Sequence, residues 1–120
     1  MANDMNIISY LEAGIKTEAM RQSAIANNVA NMNTPGYRRV DIKFNEVLAQ
    51  KIAAGEALKA DEAEPELFEP RKTALSPDGS DVTLDTEVGE LVKNSIHHKM
   101  YTRLLAKKYQ QYDMAMNFTR

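Results

Sequence analysis

Cysteine is absent from the 120-residue chain, which excludes a disulfide framework and thiolate metal sites. Proline is nearly as restricted: its four copies, Pro35, Pro65, Pro70 and Pro77, leave residues 1–34 and 78–120 free of it. Two long stretches thus lack the strongest helix breaker and flank a broken middle. An excess of one charge is also missing, because 15 basic against 17 acidic residues leave a net charge of -2 and no global attraction to nucleic acid or an anionic membrane. No apolar run approaches the roughly 18 residues of a membrane span. The N-terminus has no basic start followed by an apolar run and cleavage site, so retention in the cytoplasm is expected by the usual route. What remains, 43% apolar residues over this length, supports one small structural unit.

The first stretch has a helix period. Ile8, Leu11, Ile15, Ile25, Val29 and Met32 fall on one seam of three- and four-residue steps, with Glu18 and Gln22 in its middle. A row of small residues, Ala19, Ser23, Ala26 and Ala30, runs beside it and would let another helix approach closely. The helix should end near Asn33, because Thr34 precedes a proline, and Thr34-Pro35-Gly36-Tyr37 reads as a type II turn. Residues 37–44 alternate as an extended arm, and 44–54 turn helical again. Residues 55–81 gather acids around Pro65 and Pro70 and read as a loop closed by Pro77-Asp78-Gly79.

The last stretch carries the longest pattern: Leu84, Val88, Leu91, Ser95, His98, Thr102, Leu105, Tyr109, Tyr112 and Met116 at unbroken three- and four-residue steps. Asp85 suits the N-cap, and acids early with lysines late match the helix dipole. Both seams are polar in the middle, so two helices paired side by side bring their polar centres together. The expected fold is mainly α: long N- and C-terminal helices paired antiparallel as a coiled-coil-like hairpin, with an irregular, partly extended middle. Its parts are an N-terminal core helix (1–33), a turn, arm and short helix (34–54), an acidic loop (55–81) and a C-terminal core helix (82–120).

Chemistry is sparse. His97 and His98 are adjacent and point about 100° apart on a helix, which does not suit a shared metal. The acids cluster where nothing fixes their geometry for acid and base work, and no phosphate-binding glycine loop or nucleophile elbow occurs. Lys99, Arg103, Lys107 and Lys108 interleave with tyrosines, but Tyr109 and Tyr112 already belong to the seam, which argues against a nucleic-acid surface. No catalytic, cofactor-binding or metal site is expected, and neither a nucleic acid nor a small-molecule substrate. Asn27, Asn28, Asn31 and Asn33 are poor helix formers concentrated at a helix end, where each amide can bond to a crowded neighbouring backbone. A frayed helix end followed by a turn would give the same cluster.

The run Ala26 to Tyr37 resembles the N-terminal signature of the bacterial flagellar axial proteins, the rod, hook and hook-associated families. In these a long helix ends in Ala-Asn-Asn-x-Ala-Asn-x-x-Thr-Pro-Gly-Tyr, and Val29 takes the variable position here. Residues 78–88, with Leu91, Asn94, Leu104, Leu105 and Lys108, look like a proximal rod family; the sister rod family FlgC ranks second. Val88 stands where methionine is expected. The resemblance implies a rod subunit that transmits torque, with its terminal helices in the inner core. Asn27 to Tyr37 would then be an assembly motif whose amides touch neighbouring subunits. It also implies further rod subunits including FlgC, FliE and the MS-ring protein FliF as neighbours, and export through the flagellar type III gate without a cleaved signal. Phe44 to Leu48 is similar to the phenylalanine-x-x-x-apolar export signal, although one turn of an amphipathic helix gives the same pattern. A soluble helical-hairpin adaptor is the competing function.

Overall fold

A computed structural model describes residues 2–44, 54 and 65–118, with side chains from residue 7 onward. Helix α1, Ala2–Ala30, lies beside helix α2, Leu84–Phe118, and between them in sequence come strands β1, Asp41–Lys43, and β2, Glu66–Phe68. The helices run in opposite directions, since Asn28 meets Glu87, Glu18 meets Asn94 and Glu12 meets Tyr109. Two long paired helices with an irregular, strand-containing middle are therefore the fold, in a particle of 66 × 24 × 16 Å.

Two turns connect the helices to the arm. In Thr34–Tyr37 the Tyr37 amide donates to the Thr34 carbonyl at 3.2 Å, and Gly36 has φ +76°, the left-handed geometry that the third position of a type II turn requires. In the second, Gly79 has φ +86° and its amide donates to the Ser76 carbonyl at 2.9 Å. The turns touch each other: the Gly36 amide donates to the Asp78 carbonyl at 2.8 Å, and a Cβ on Gly79 would lie 3.4 Å from Gly36 Cα.

Two details differ from the sequence reading. Part of the stretch read as an acidic loop is strand β2, which pairs antiparallel with β1 in the register Asp41↔Phe68, Ile42↔Leu67 and Lys43↔Glu66. Three residues are too short to show alternation, so the partner strand rather than a local pattern fixes this one. Helix α2 is capped by Thr83 instead of Asp85: Thr83 Oγ1 accepts the Thr86 amide at 3.3 Å and its carbonyl accepts the Glu87 amide at 3.1 Å. The short helix read over 44–54, with Leu48, lies outside the described residues except for Phe44 and Ala54.

The interior is polar where the packing is tightest. Among the described residues its apolar part is Ile8, Leu11, Ala13, Ala24, Ile25, Ile42 and Val82, whereas the largest fully buried side chains are Glu87, Asn28, Thr17, Asp81 and Ser80. Thr17 disposes of its hydroxyl within α1, donating to the Ala13 carbonyl at 2.7 Å. Further along, Tyr101 lies flat enough on α1 that a Cβ at Gly14 would sit 2.8 Å from its ring. The ring meets Tyr10 edge-on at 6.2 Å, and Tyr10 in turn packs on Phe44 at 5.3 Å. Burial pushes the Tyr101 hydroxyl up to about 12.

The two helical glycines should consequently respond in opposite ways to alanine. Gly89 faces open space, so Gly89→Ala should stabilise the chain by about 1 kcal/mol through helix propensity. Gly14→Ala gains the same propensity but drives Tyr101 off its seat, and overpacking at roughly 1–3 kcal/mol should leave it less stable than wild type. Urea unfolding followed by circular dichroism measures both; equal signs would show that Tyr101 does not depend on Gly14.

Candidate functional site

The last turn of α1 delivers Asn28 into the gap between the arm and α2, where it is fully buried. Its Nδ2 donates to the Val40 carbonyl at 2.9 Å and to Glu87 Oε2 at 3.2 Å. Its Oδ1 accepts from the Val40 amide at 2.9 Å and from the Tyr37 hydroxyl at 3.1 Å. One carboxamide thereby uses both donors and both acceptor positions, two of them as a bridge to a single backbone residue of the arm. Glu87, also fully buried, takes Arg39 Nε on its other oxygen at 2.8 Å. The Arg39 amide donates to Asp81 Oδ1 at 2.5 Å, and Arg38 Nε lies 3.3 Å from Asp81 Oδ2. Three chain segments remote in sequence are thus held in one clasp.

Electrostatics follow from this geometry. Burial alone would weaken the Arg39 charge, but the bond and the charge of Glu87 outweigh it and hold the guanidinium above its ordinary range. Burial, and then the Glu87 and Asp81 charges, push the Tyr37 hydroxyl up and keep it neutral. A neutral phenol is what the bond to Asn28 needs, because only a protonated oxygen can donate.

A second polar node lies about three turns down α1. Glu18, nearly buried, accepts from Arg21 at 2.6 Å and from Asn94 Nδ2 at 2.9 Å, and faces His97 Nδ1 at 3.4 Å. Asn94 also donates to the Glu18 carbonyl at 2.6 Å. Arg21 extends this node to the arm, reaching Asp41 at 3.2 Å and the Ile42 carbonyl at 2.8 Å. The two nodes bracket the arm from both sides, so its position is set by bonds to α1 and α2 together.

Of the signature residues, Asn28 and Tyr37 belong to the clasp. Asn31 is engaged locally, donating to the Asn27 carbonyl at 2.9 Å and accepting from Thr34 Oγ1 at 3.3 Å. Asn27, Asn33, Thr34, Pro35 and Gly36 are on the surface. Among the seam residues Ile8, Leu11 and Ile25 are buried, Ile15, Leu105 and Tyr112 are half-buried, and Val29 is exposed. Leu84, Val88, Leu91 and Met116 face outward, and Tyr109 is half exposed although its hydroxyl donates to Glu12 at 3.0 Å. Over its first half the face that α2 turns to α1 is Glu87, Glu90, Asn94, His97 and Tyr101, one residue out of step with the apolar seam read from the sequence, while further on the seam residues Leu105 and Tyr112 are the less exposed ones. That reading assumed apolar residues face inward; here polar ones do, because each finds a partner. Arg39, Asp81, Glu87 and Asn94 were missed as site residues, though Glu87, Asn94 and Tyr101 recur at seven-residue spacing, a signal available in the sequence.

The N-terminal helix thus ends in an asparagine clasp that is closed by an antiparallel C-terminal helix. A family model described as flagella basal body rod protein matches residues 11–38, the span that contains both nodes of α1 and the turn. The chain is similar to flagellar rod and hook proteins over part or most of its length. It is similar to the flagellar basal body rod protein FlgB of Bacillus subtilis strain 168, 26% identical over 111 residues that cover 85% of this chain and 86% of the relative. FlgB of Escherichia coli K12 is 27% identical over 112 residues, covering 78% and 80%. The flagellar hook protein FlgE of Treponema pallidum strain Nichols is 36% identical over 42 residues, 35% of this chain and 9% of that one. Among the described residues no group of three His, Asp or Glu could hold a metal ion, and no helix is long and apolar enough to cross a membrane.

Breaking the clasp on one side should be worse than removing it whole. Glu87→Gln leaves Arg39 buried without a counter-charge and should cost about 3–5 kcal/mol, whereas Arg39→Met with Glu87→Met should recover at least half of that loss. A double-mutant cycle by urea unfolding reads the coupling; additive losses would mean the two groups act independently.

Proposed function

We propose that the chain is a subunit of the flagellar proximal rod, of the FlgB kind, which assembles helically and carries torque from the MS ring toward the distal rod and hook. The observation that carries this reading is the distribution of apolar surface. Among the described residues seven apolar side chains are buried, whereas fifteen large ones, from Val29 to Phe118, are exposed, and eleven of these lie on α2. A monomer designed to stay single would not leave so much unpaired. Beside them on α1 the small residues Ala19, Ser23, Ala26 and Ala30 are all exposed, the kind of surface on which a second helix seats closely. A helix pair with a polar interior and an apolar exterior is a subunit completed by its neighbours.

Similarity to FlgB proteins over most of the chain supports the proximal rod over the sister FlgC. In this reading the neighbours are copies of the chain, FlgC, FliE and the MS-ring protein FliF, and the working location is the periplasm-spanning rod. Asn27 and Asn33, exposed beside the clasp, are the signature amides available to them. An adaptor would instead be saturated by one partner in a defined complex.

Ala26→Arg tests the assembly. The site is exposed, so the isolated chain should keep its stability within about 0.5 kcal/mol. Concentration-dependent polymerisation, followed by sedimentation, should be lost, and the variant should fail to restore swimming to cells lacking the wild-type gene. Normal polymers and motility would refute a packed α1 face.

Export gives a separate test of Phe44. In the folded chain its ring is half-buried against Tyr10, so a gate that reads it must meet the arm before or without that packing. Phe44→Ala should hold the protein in the cytoplasm while the purified variant still polymerises; secretion at the wild-type level would leave Phe44 as ordinary packing.

A further inference from the structure

The side of α2 turned away from α1 carries a pattern that neither the clasp nor the helix pairing uses. Ile96, Met100, Arg103, Lys107, Met114 and Phe118 follow one another along it at helical spacing, in a row roughly 33 Å long at about 1.5 Å per residue. The four apolar members are 59%, 45%, 70% and 95% exposed. Ile96, Met100 and Leu104 floor an open groove of about 500 Å³ that is edged by Lys99 and Arg103. A second groove of about 280 Å³ meets it at Leu104 and runs on between Ile7 and Leu11 of α1 and Lys107 of α2.

Charge is balanced over the whole chain but not on this face. Between Glu90 and Asp113 the sequence holds five lysines and arginines and no acid. Lys99, Arg103 and Lys107 are exposed and make no ion pair among the described residues. The α1 carboxylates that reach this half of α2, Glu12 and Glu18, meet Tyr109 and Asn94 on its inner side. A second copy approaching antiparallel through the same face would set Arg103 and Lys107 against their own counterparts, so like charges oppose self-pairing here. What fits is a surface that is negative at its outside and apolar just beneath.

We infer that this face of α2 seats in the plane of an anionic lipid bilayer. Ile96, Met100, Leu104, Met114 and Phe118 enter the boundary of the acyl chains, and Lys99, Arg103 and Lys107 reach the headgroup phosphates. Lysine and arginine suit this position because their methylene stems lie along apolar surface while the charged ends stay at the interface. Each cation near a negative leaflet adds to the attraction, which neutral lipid does not supply. Among the described residues no helix is apolar enough to cross a membrane, so α2 lies on the bilayer and can leave it. The inference does not depend on the self-assembly proposed above; where both hold, lipid covers in the dilute chain the apolar residues that neighbours cover in the polymer.

Vesicle flotation tests it. The purified chain, dilute enough to be monomeric, is mixed with vesicles of equimolar phosphatidylcholine and phosphatidylglycerol or of phosphatidylcholine alone. Affinity for the anionic vesicles should be at least ~10-fold higher and should fall as salt is added. Arg103→Glu with Lys107→Glu should lower it at least ~10-fold, whereas Lys43→Glu with Lys72→Glu, the same change of net charge at exposed sites off this face, should keep it within ~3-fold. Ile96→Asn with Met100→Asn should weaken it at least ~5-fold at unchanged charge. Circular dichroism checks that each variant remains helical. Equal binding to both vesicles, no binding to either, or no loss on reversing 103 and 107 would overturn the inference. So would an equal loss on reversing 43 and 72, which would reduce the effect to net charge. Equal affinity for a DNA duplex at matched phosphate would overturn it as well, by making the face a general polyanion site. Sedimentation without lipid reads self-assembly separately, so failure of either reading is seen without the other.

Discussion

The fold depends on a carboxylate that has no contact with water. Glu87 sits near the start of α2, and an ion in that position is tolerable only if charge and hydrogen bonds surround it. Arg39 from the arm supplies the charge and Asn28 from α1 supplies a further donor. Each of the three is held by the other two, so none of the segments can move away without leaving a buried group unsatisfied. The penalty for an unpaired ion is larger than the gain from most apolar contacts, and it is paid for any wrong register. Polar burial therefore fixes the alignment of α1 with α2, a task that a uniform apolar seam performs poorly because it can slip by a turn.

This division of labour explains the surface. Had the apolar residues been used to pair the two helices, few would remain for other chains. Because the inner faces are joined by Glu18, Asn28, Glu87, Asn94 and their partners, Val88, Val92, Ile96, Met100 and Leu104 stay outside. The arm takes part in the same arrangement: β1 is bonded to α1 through Arg21 and carries β2 as its antiparallel partner. Specific, directional bonds are used where one arrangement is required within a chain. Non-directional apolar surface is used where several neighbours must be accommodated.

How much of this could be read beforehand depended on whether the cause was local. The two helices follow from period and from the absence of proline, and the left-handed glycine of the 34–37 turn follows from Thr-Pro-Gly-Tyr, all properties of adjacent residues. The face of α2 turned to α1 did not follow. Leu84, Val88 and Leu91 look like a core on any scale of hydrophobicity, and only the partners Arg39 and Asn28, 48 and 59 residues away, make Glu87 the inward residue. Strand β2 was hidden for a similar reason, since three residues acquire strand character from β1. The cap moved from Asp85 to Thr83 because Val82 and Asp81 are already committed to the interior, which sets where the chain can enter the helix.

Why asparagine should stand at position 28 can be answered from its chemistry. The site must donate twice and accept twice: donors face the Val40 carbonyl and Glu87, while acceptor positions face the Val40 amide and Tyr37. Aspartate would place a second buried anion beside Glu87, and leucine of similar size would leave four polar atoms without partners. Glutamine has the right groups, but its extra methylene would carry them past Val40. The turn that follows must then reverse the chain quickly enough to bring Tyr37 and Val40 back to the same amide within twelve residues, which a left-handed glycine after proline accomplishes. The signature is thus a single device read in order along the chain: an amide at the helix end, a tight reversal, a phenol and a backbone residue that return to it. Its one remaining free bond points across to α2, and that bond is how a short N-terminal motif comes to require a particular C-terminal helix.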